Sequence, residues 1–217
     1  IIREFGDVSS VSSPELPETL PFEATTNEKV EKSLKTITEE LISLKKELNE
    51  IDEKVGDGDA GSTFAAGAKK IKELIPQLPL DNSAELFISI GRILARETGG
   101  SSGVLLSLMF TRAGNAYKEN EHLGKALNEG LQKMKEFGGA EEGQRTMIDA
   151  LQPAFKVLAE DGNLKTAAEK AREGAEKTKK ITNTDFGRSS YLSEKSLKDI
   201  PDPGAEAVAR VFEKLIG

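Results

Sequence analysis

From Val30 to Ile51 the apolar residues stand at Val30, Leu34, Ile37, Leu41, Leu44, Leu48 and Ile51, in alternating steps of four and three. Such steps return each side chain to one side of an α-helix, whereas a half-buried strand needs every second residue. The opening of the domain is therefore read as one long amphipathic helix, with Thr25 and Glu28 spaced as a capping box before it. The spacing recurs in Phe64, Ala68, Ile71 and Ile75; in Leu86, Ile90, Ile93 and Leu94; in Leu105, Leu106, Met109, Phe110, Ala113 and Tyr117; and in Leu127, Leu131 and Met134. Met147 to Leu158 reads as a further helix bent at Pro153, an Ala-rich helix runs from Leu164 to Ala175, and a last one holds Val208, Val211, Phe212 and Leu215. Alternation of strand type never lasts more than a few positions, and no segment repeats at a fixed period. The expected fold is all-α: a bundle or barrel of eight antiparallel helices.

With 217 residues the chain can build one sizeable core. Against 37 Asp+Glu it carries 30 Lys+Arg, a net charge of -7, so no nucleic acid or anionic lipid is held by bulk electrostatics. An anion must be held locally, by helix ends, a few cations or a metal. The absence of cysteine removes disulfides, thiolate zinc sites and cysteine nucleophiles, and fits a cytoplasmic setting. Apolar runs stop at three residues, as in Val104-Leu105-Leu106, against the roughly 18 that suggest a membrane span. Residues 1–26, with Pro14, Pro17, Pro21 and four serines, have the composition of an interdomain linker; residues 27–217 form the helical domain. Ile1 stands where a translation start would have Met, so the chain is read as a fragment or a processed product.

Four connections carry more than a helix-helix turn requires. In the first, Asp52 precedes Gly56-Asp57-Gly58-Asp59-Ala60-Gly61-Ser62-Thr63. Carboxylates crowded this way repel one another unless a hard divalent cation sits among them, and the N–H groups of the helix opening at Gly61-Ser62-Thr63 favour a phosphate. A plain Gly-Asp turn with an N-cap is the alternative. The second, Gly99-Gly100-Ser101-Ser102-Gly103, offers close backbone approach and hydroxyls, or is an ordinary helix break. The third, Gly138-Gly139-Ala140-Glu141-Glu142-Gly143-Gln144-Arg145-Thr146-Met147-Ile148-Asp149, combines glycines with a cation and a helix start and could also be a cap. The fourth is a loop of 22 residues, Asn183 to Gly204, in which Arg188 stands beside Ser189 and Ser190 and suits a phosphoryl group unless it is a solvated surface charge. Asp185-Phe186-Gly187 matches a protein-kinase tripeptide, yet no other kinase motif and no P-loop accompanies it. His122, the only histidine, reads as part of a solvated turn.

In their order, Asp52 with Gly56-Asp57-Gly58-Asp59-x-Gly61, then Gly99 to Gly103, then Gly143-x-Arg145-Thr146-Met147-x-Asp149, then Gly187-Arg188-x-Ser190-Tyr191-Leu192 and Asp202-Pro203-Gly204-Ala205, the chain resembles the nucleotide-binding (L) domain of dihydroxyacetone kinases over about residues 27–217. The resemblance implies an eight-helix barrel whose loops at one end hold ATP or ADP through two magnesium ions. It implies Asp52, Asp57 and Asp59 as metal ligands, and Gly61, Ser62, Thr63, Ser101 and Ser102 as phosphate contacts. Gly138 and Met147 would line the adenine side, Arg188 would act catalytically on the transferred phosphoryl group, and Asp202 with Gly204 would close on the nucleotide. Ala60 departs from the family, which often has His or Cys there, and Asp185-Phe186 stands where small or basic residues are common.

The family's substrate-binding (K) domain captures the ketone through a histidine, and His122 lies in none of the matching motifs. The resemblance thus implies the ATP half of a kinase, tethered by residues 1–26 to its partner domain and able to form a homodimer through the full-length enzyme. The alternatives are the separate ADP-carrying subunit fed by a phosphocarrier protein, or a non-catalytic helical module that binds a lipid or a partner. Some fused members also cyclise flavin nucleotides.

Overall fold

The four-three spacing becomes helix throughout the computed structural model, which describes residues 20–217 apart from the side chains of Arg188 and Lys195. The helices are α1 (Glu28–Ser43), α2 (Lys45–Val55), α3 (Ala60–Leu74), α4 (Ser83–Glu97), α5 (Gly100–Asn120), α6 (Leu123–Gly138), α7 (Ile148–Glu160), α8 (Leu164–Thr178), α9 (Glu194–Leu197) and α10 (Pro203–Ile216). With α1 and α2 counted as one interrupted helix, the long helices among the described residues number eight, as expected; α9 is a single turn. No strand occurs among the described residues, only an isolated bridge between Thr25 and Pro79. Each long helix packs on the next in sequence, and α10 packs on both α8 and α1, which closes the ring into a barrel.

The first helix differs from its expectation at Leu44. Ser43 Oγ donates to the Glu40 carbonyl at 2.8 Å, and the Leu44 N–H shares that carbonyl at 3.0 Å. A serine hydroxyl bonding back to its own helix loosens the ladder, and α1 gives way to α2 there while Leu44 and Leu48 stay buried. The cap also moves. Asn27, not Thr25, accepts from the Val30 N–H, and Thr25 instead bonds Asp81 through its hydroxyl and Leu78 through its N–H. Residues 20–26 thus lie on the domain, with Leu20 against the α1–α3–α4 core and Phe22 beneath Lys118. The rest of the expected linker, residues 1–19, lies outside the described residues.

The largest buried cluster joins α5 to α8 and α10 through Met109, Leu131, Met134, Leu151, Phe155 and Phe212, with alanines of α8 at the closest contacts. α7 runs on through Pro153, which has no N–H to give the Asp149 carbonyl. Gly174 of α8 fills the space beside that carbonyl so closely that a Cβ would lie 2.0 Å from its oxygen. No helix among the described residues is long and apolar enough to cross a membrane.

Candidate functional site

Because neighbouring helices are antiparallel, one mouth of the barrel collects alternating ends: the C-termini of α2 and α6 and the N-termini of α3, α5, α7 and α10. They enclose a cleft of about 820 Å³. Into it fall Asp52, Asp57, Asp59, Thr63, Ser101, Ser102, Gly138, Met147, Asp202 and Gly204, so most of the residues singled out in the sequence are brought together. Gly61 and Ser62 are not. The Ser62 N–H donates to Asn49 Oδ1 and its hydroxyl accepts from Asn49 Nδ2, both at 2.9 Å, while Gly61 is buried so close to α2 that a Cβ would lie 2.1 Å from the Lys45 carbonyl oxygen. These two residues lie at the α2–α3 junction, outside the lining of the cleft. Gly187 and Ser189 line the cleft on either side of Arg188, whose side chain lies outside the described structure.

The acidic corner is built by Asp52. Its carboxylate is buried and accepts the N–H groups of Asp59 and Ala60 at 2.9 and 3.0 Å, which folds the Gly-Asp turn back onto α2 and starts α3. Gly58 takes a positive φ of 79° in that turn. Asp52, Asp57 and Asp59 then each offer a carboxylate oxygen within 4.8 Å of the others. At such separations three negative charges repel strongly in a partly desolvated corner. Hard oxygen donors in this number and spacing fit a magnesium-sized ion, and the two exposed members leave its other positions to water or phosphate.

Across the cleft, α5 begins at Gly99-Gly100, where a Cβ on either glycine would meet nothing within 4 Å, so its first turn is open to a ligand. The far wall is apolar: Leu105, Leu108, Met134, Phe137, Met147 and Phe186 face the same space. One flank therefore suits a hydrated metal with phosphates, and the other a planar apolar group.

Two features escaped the sequence reading. Arg145 is 1% exposed and holds a left-handed φ of 56°. Asp149 imposes this conformation by accepting the Gly143 and Thr146 N–H groups at 2.6 and 2.8 Å. Burial pushes the Arg145 guanidinium down and the Asp149 carboxyl up from their ordinary values. Asp202 caps α10 by accepting the Ala205 N–H at 2.7 Å, and burial pushes it up to about 7, with that hydrogen bond and Arg145 pulling the other way. The expected 22-residue loop is also less irregular than its composition suggested: it contains a short 3₁₀ turn at Arg188–Tyr191 and α9, and Ser189 Oγ ties it to the Val55 carbonyl at 3.0 Å. His122 is the N-cap of α6, its Nδ1 accepting the Lys125 N–H at 3.3 Å.

A closed ring of helices with an acidic corner facing an apolar wall at one mouth defines the class: an all-α barrel domain with its site in the loops. The chain belongs to the DAK2 domain family, whose model matches residues 54–217. Dihydroxyacetone kinase of Citrobacter freundii is 46% identical over 212 residues, covering 96% of this chain and 38% of its own length. The mouse triokinase/FMN cyclase is 35% identical over 214 residues, 94% of this chain and 37% of its own. The crystal structure of the dihydroxyacetone kinase from C. freundii in complex with AMP-PNP and Mg2+ matches with a TM-score of 0.80 and 44% identity, over 96% of this chain and 37% of that one. The chain spans little more than a third of the length of these relatives.

Proposed function

We propose that this chain is the nucleotide half of a cytoplasmic, ATP-dependent dihydroxyacetone kinase. It would hold ATP with two magnesium ions and present the γ-phosphoryl group to a hydroxyl of a short-chain ketose or aldose on a separate K domain, within a homodimeric full-length enzyme. The observation that carries this reading is the gathering of Asp52, Asp57 and Asp59 oxygens within 4.8 Å, opposite an apolar wall and beside open helix starts.

Magnesium, when bound, neutralises phosphate oxygens and makes the terminal phosphoryl group a better electrophile. This chain's own residues do the rest. Asp57 and Asp59, with the buried Asp52 behind them, hold the metal end. Thr63 at the start of α3 and Ser101 and Ser102 at the start of α5 offer hydroxyls and helix N-termini to phosphate oxygens. Gly138 and Met147 belong to the flank that takes the base, and Asp202 with Gly204, which packs against Met147, borders the same cleft. Arg188, placed by its backbone between the cleft-lining Gly187 and Ser189, supplies positive charge where the transferred group gains negative charge. His122, the one histidine of the sequence, is the N-cap of α6 and does not line the cleft, which supports assigning the acceptor to another domain.

The reading is tested by ADP release from the chain with dihydroxyacetone, ATP and magnesium, first alone and then with a K domain from a fused relative. Turnover only in the second mixture supports it. Ketone-dependent turnover by the chain alone misplaces the acceptor site, and none in either mixture favours the phosphocarrier-fed subunit or a non-catalytic module.

A further inference from the structure

Arg145 is a costly residue to keep where it stands. Its guanidinium is buried, its hydrogen-bond acceptors are neutral carbonyls, and Nε and Nη2 have no hydrogen-bond partner among the described residues. An apolar side chain of similar length would avoid burying both the charge and the unpaired N–H groups. Among the described residues all of its side-chain hydrogen bonds come from one nitrogen. Nη1 donates to the Thr178 carbonyl at 2.6 Å, to the Ile200 carbonyl at 3.0 Å and, more weakly, to the Ile181 carbonyl at 3.4 Å. Thr178 ends α8, and Ile200 lies two residues before the Asp202 cap of α10. The two carbonyls are therefore the roots of the segment that carries Gly187 and Ser189 to the cleft. Further bonds converge on the same junction: Thr178 Oγ1 accepts the Asp202 N–H at 2.9 Å, and the Asp199 N–H donates to the Lys179 carbonyl at 3.1 Å.

We propose that Arg145 is a positioning residue: its Nη1 clamps both roots of the 179–202 segment and so sets Gly187–Ser189 and Asp202 against the cleft. Its consequence for phosphoryl transfer rests on the proposed function, while the clamp itself does not. Because one nitrogen makes every bond, lysine can replace the clamp although its chain is one bond shorter, and it removes the unpaired Nε and Nη2. Methionine keeps much of the volume and removes the clamp.

The test compares the wild-type chain with Arg145→Lys and Arg145→Met by amide hydrogen exchange, and by ATP affinity and turnover with magnesium and a K domain. In R145M, exchange across 183–202 is expected to quicken by about tenfold or more, with α5 and α6 unchanged. Turnover should fall by about tenfold or more while ATP affinity stays within about threefold, because misplacement of the loop is felt chiefly in the transition state. R145K should stay within about threefold of wild type in every readout. A merely space-filling Arg145 predicts the reverse, a sound methionine variant with wild-type exchange and turnover, and that result overturns the proposal. Equal loosening of 183–202 in R145K and R145M also overturns it. If R145M does not fold, R145K decides: a protected 183–202 segment supports the clamp and a loosened one refutes it. If the wild-type chain shows no ATP binding or turnover, the proposed function fails, and the exchange measurement still decides the clamp.

Discussion

Asp52 Oδ2 accepts the backbone N–H of Asp59 at 2.9 Å, so one carboxylate of the acidic corner sets the position of another. The two do different work. Asp52 is buried and also holds the Ala60 N–H, whereas the Asp59 side chain is exposed at the cleft. Asp59→Asn should therefore leave thermal stability within about 0.5 kcal/mol of wild type while weakening magnesium-nucleotide affinity by on the order of 2 kcal/mol. Asp52→Ala should lower both, since it leaves two N–H groups without their acceptor. Melting curves read beside nucleotide titrations check the pair, and equal destabilisation by both variants contradicts it.

Arg188→Ala should slow phosphoryl transfer far more than it weakens ATP binding, because charge on the moving group is greatest in the transition state. The expected loss in turnover with a K domain is about a hundredfold or more. Near-wild-type turnover would make Arg188 a surface charge.

The periodicity of the apolar residues made the helices legible, since each helix buries one stripe and the stripe fixes the period. Where the helices end depends on partners that spacing does not reveal. Thr25 looked like a cap, but its hydroxyl goes to Asp81, 56 residues away, and Asn27 takes the role. Similarly, the break at Leu44 comes beside the Ser43 hydroxyl bonded back to Glu40, a contact that the apolar spacing does not reveal. The acidic corner was legible because three carboxylates within eight residues, at Asp52, Asp57 and Asp59, exceed what a plain Gly-Asp turn requires. That Ser62 stands outside the cleft lining was not legible, because it depends on Asn49 of the preceding helix, which bonds both its N–H and its hydroxyl oxygen. Arg145 was read as a cation beside a helix start, with a plain cap as the alternative, since nothing in composition predicts a buried arginine. The available hint was Asp149 standing beyond Gly143 and Thr146, able to fold the loop inward by accepting N–H groups from both.

Asp202 gives a pH signature in the absence of metal and nucleotide. Its folded value of about 7 lies above its ordinary 3.8, so the folded state holds the extra proton and stability falls as pH rises between those values. Burial is the main cause; Arg145 opposes it, and the charges of Asp149 and Asp52 add to it. Asp202→Asn can keep the cap on Ala205 through its side-chain oxygen and removes the titration. At pH 8 it should melt above wild type, by roughly 2–4 °C for each kcal/mol recovered, and the gap should narrow toward pH 5. A gap that does not change with pH contradicts the assignment.

Gly174→Ala should destabilise the barrel by about 1–3 kcal/mol, because its new methyl would meet the Asp149 carbonyl oxygen 2.0 Å away and backbone must move. As Asp149 also holds the Gly143 and Thr146 N–H groups, nucleotide affinity should drop with stability. Urea unfolding gives the first quantity and titration the second; an alanine variant as stable as wild type would mean that α7 and α8 are not packed this closely.

The central claim is that the cleft takes a nucleotide through a metal held by Asp52, Asp57 and Asp59. Calorimetric titration of the chain with ADP and ATP, in magnesium and then in EDTA, tests it most directly. Binding in magnesium should weaken by about tenfold or more on chelation, since the phosphates and the carboxylates then face each other without a cation. Equal affinity in EDTA, or no binding in either buffer, would contradict it.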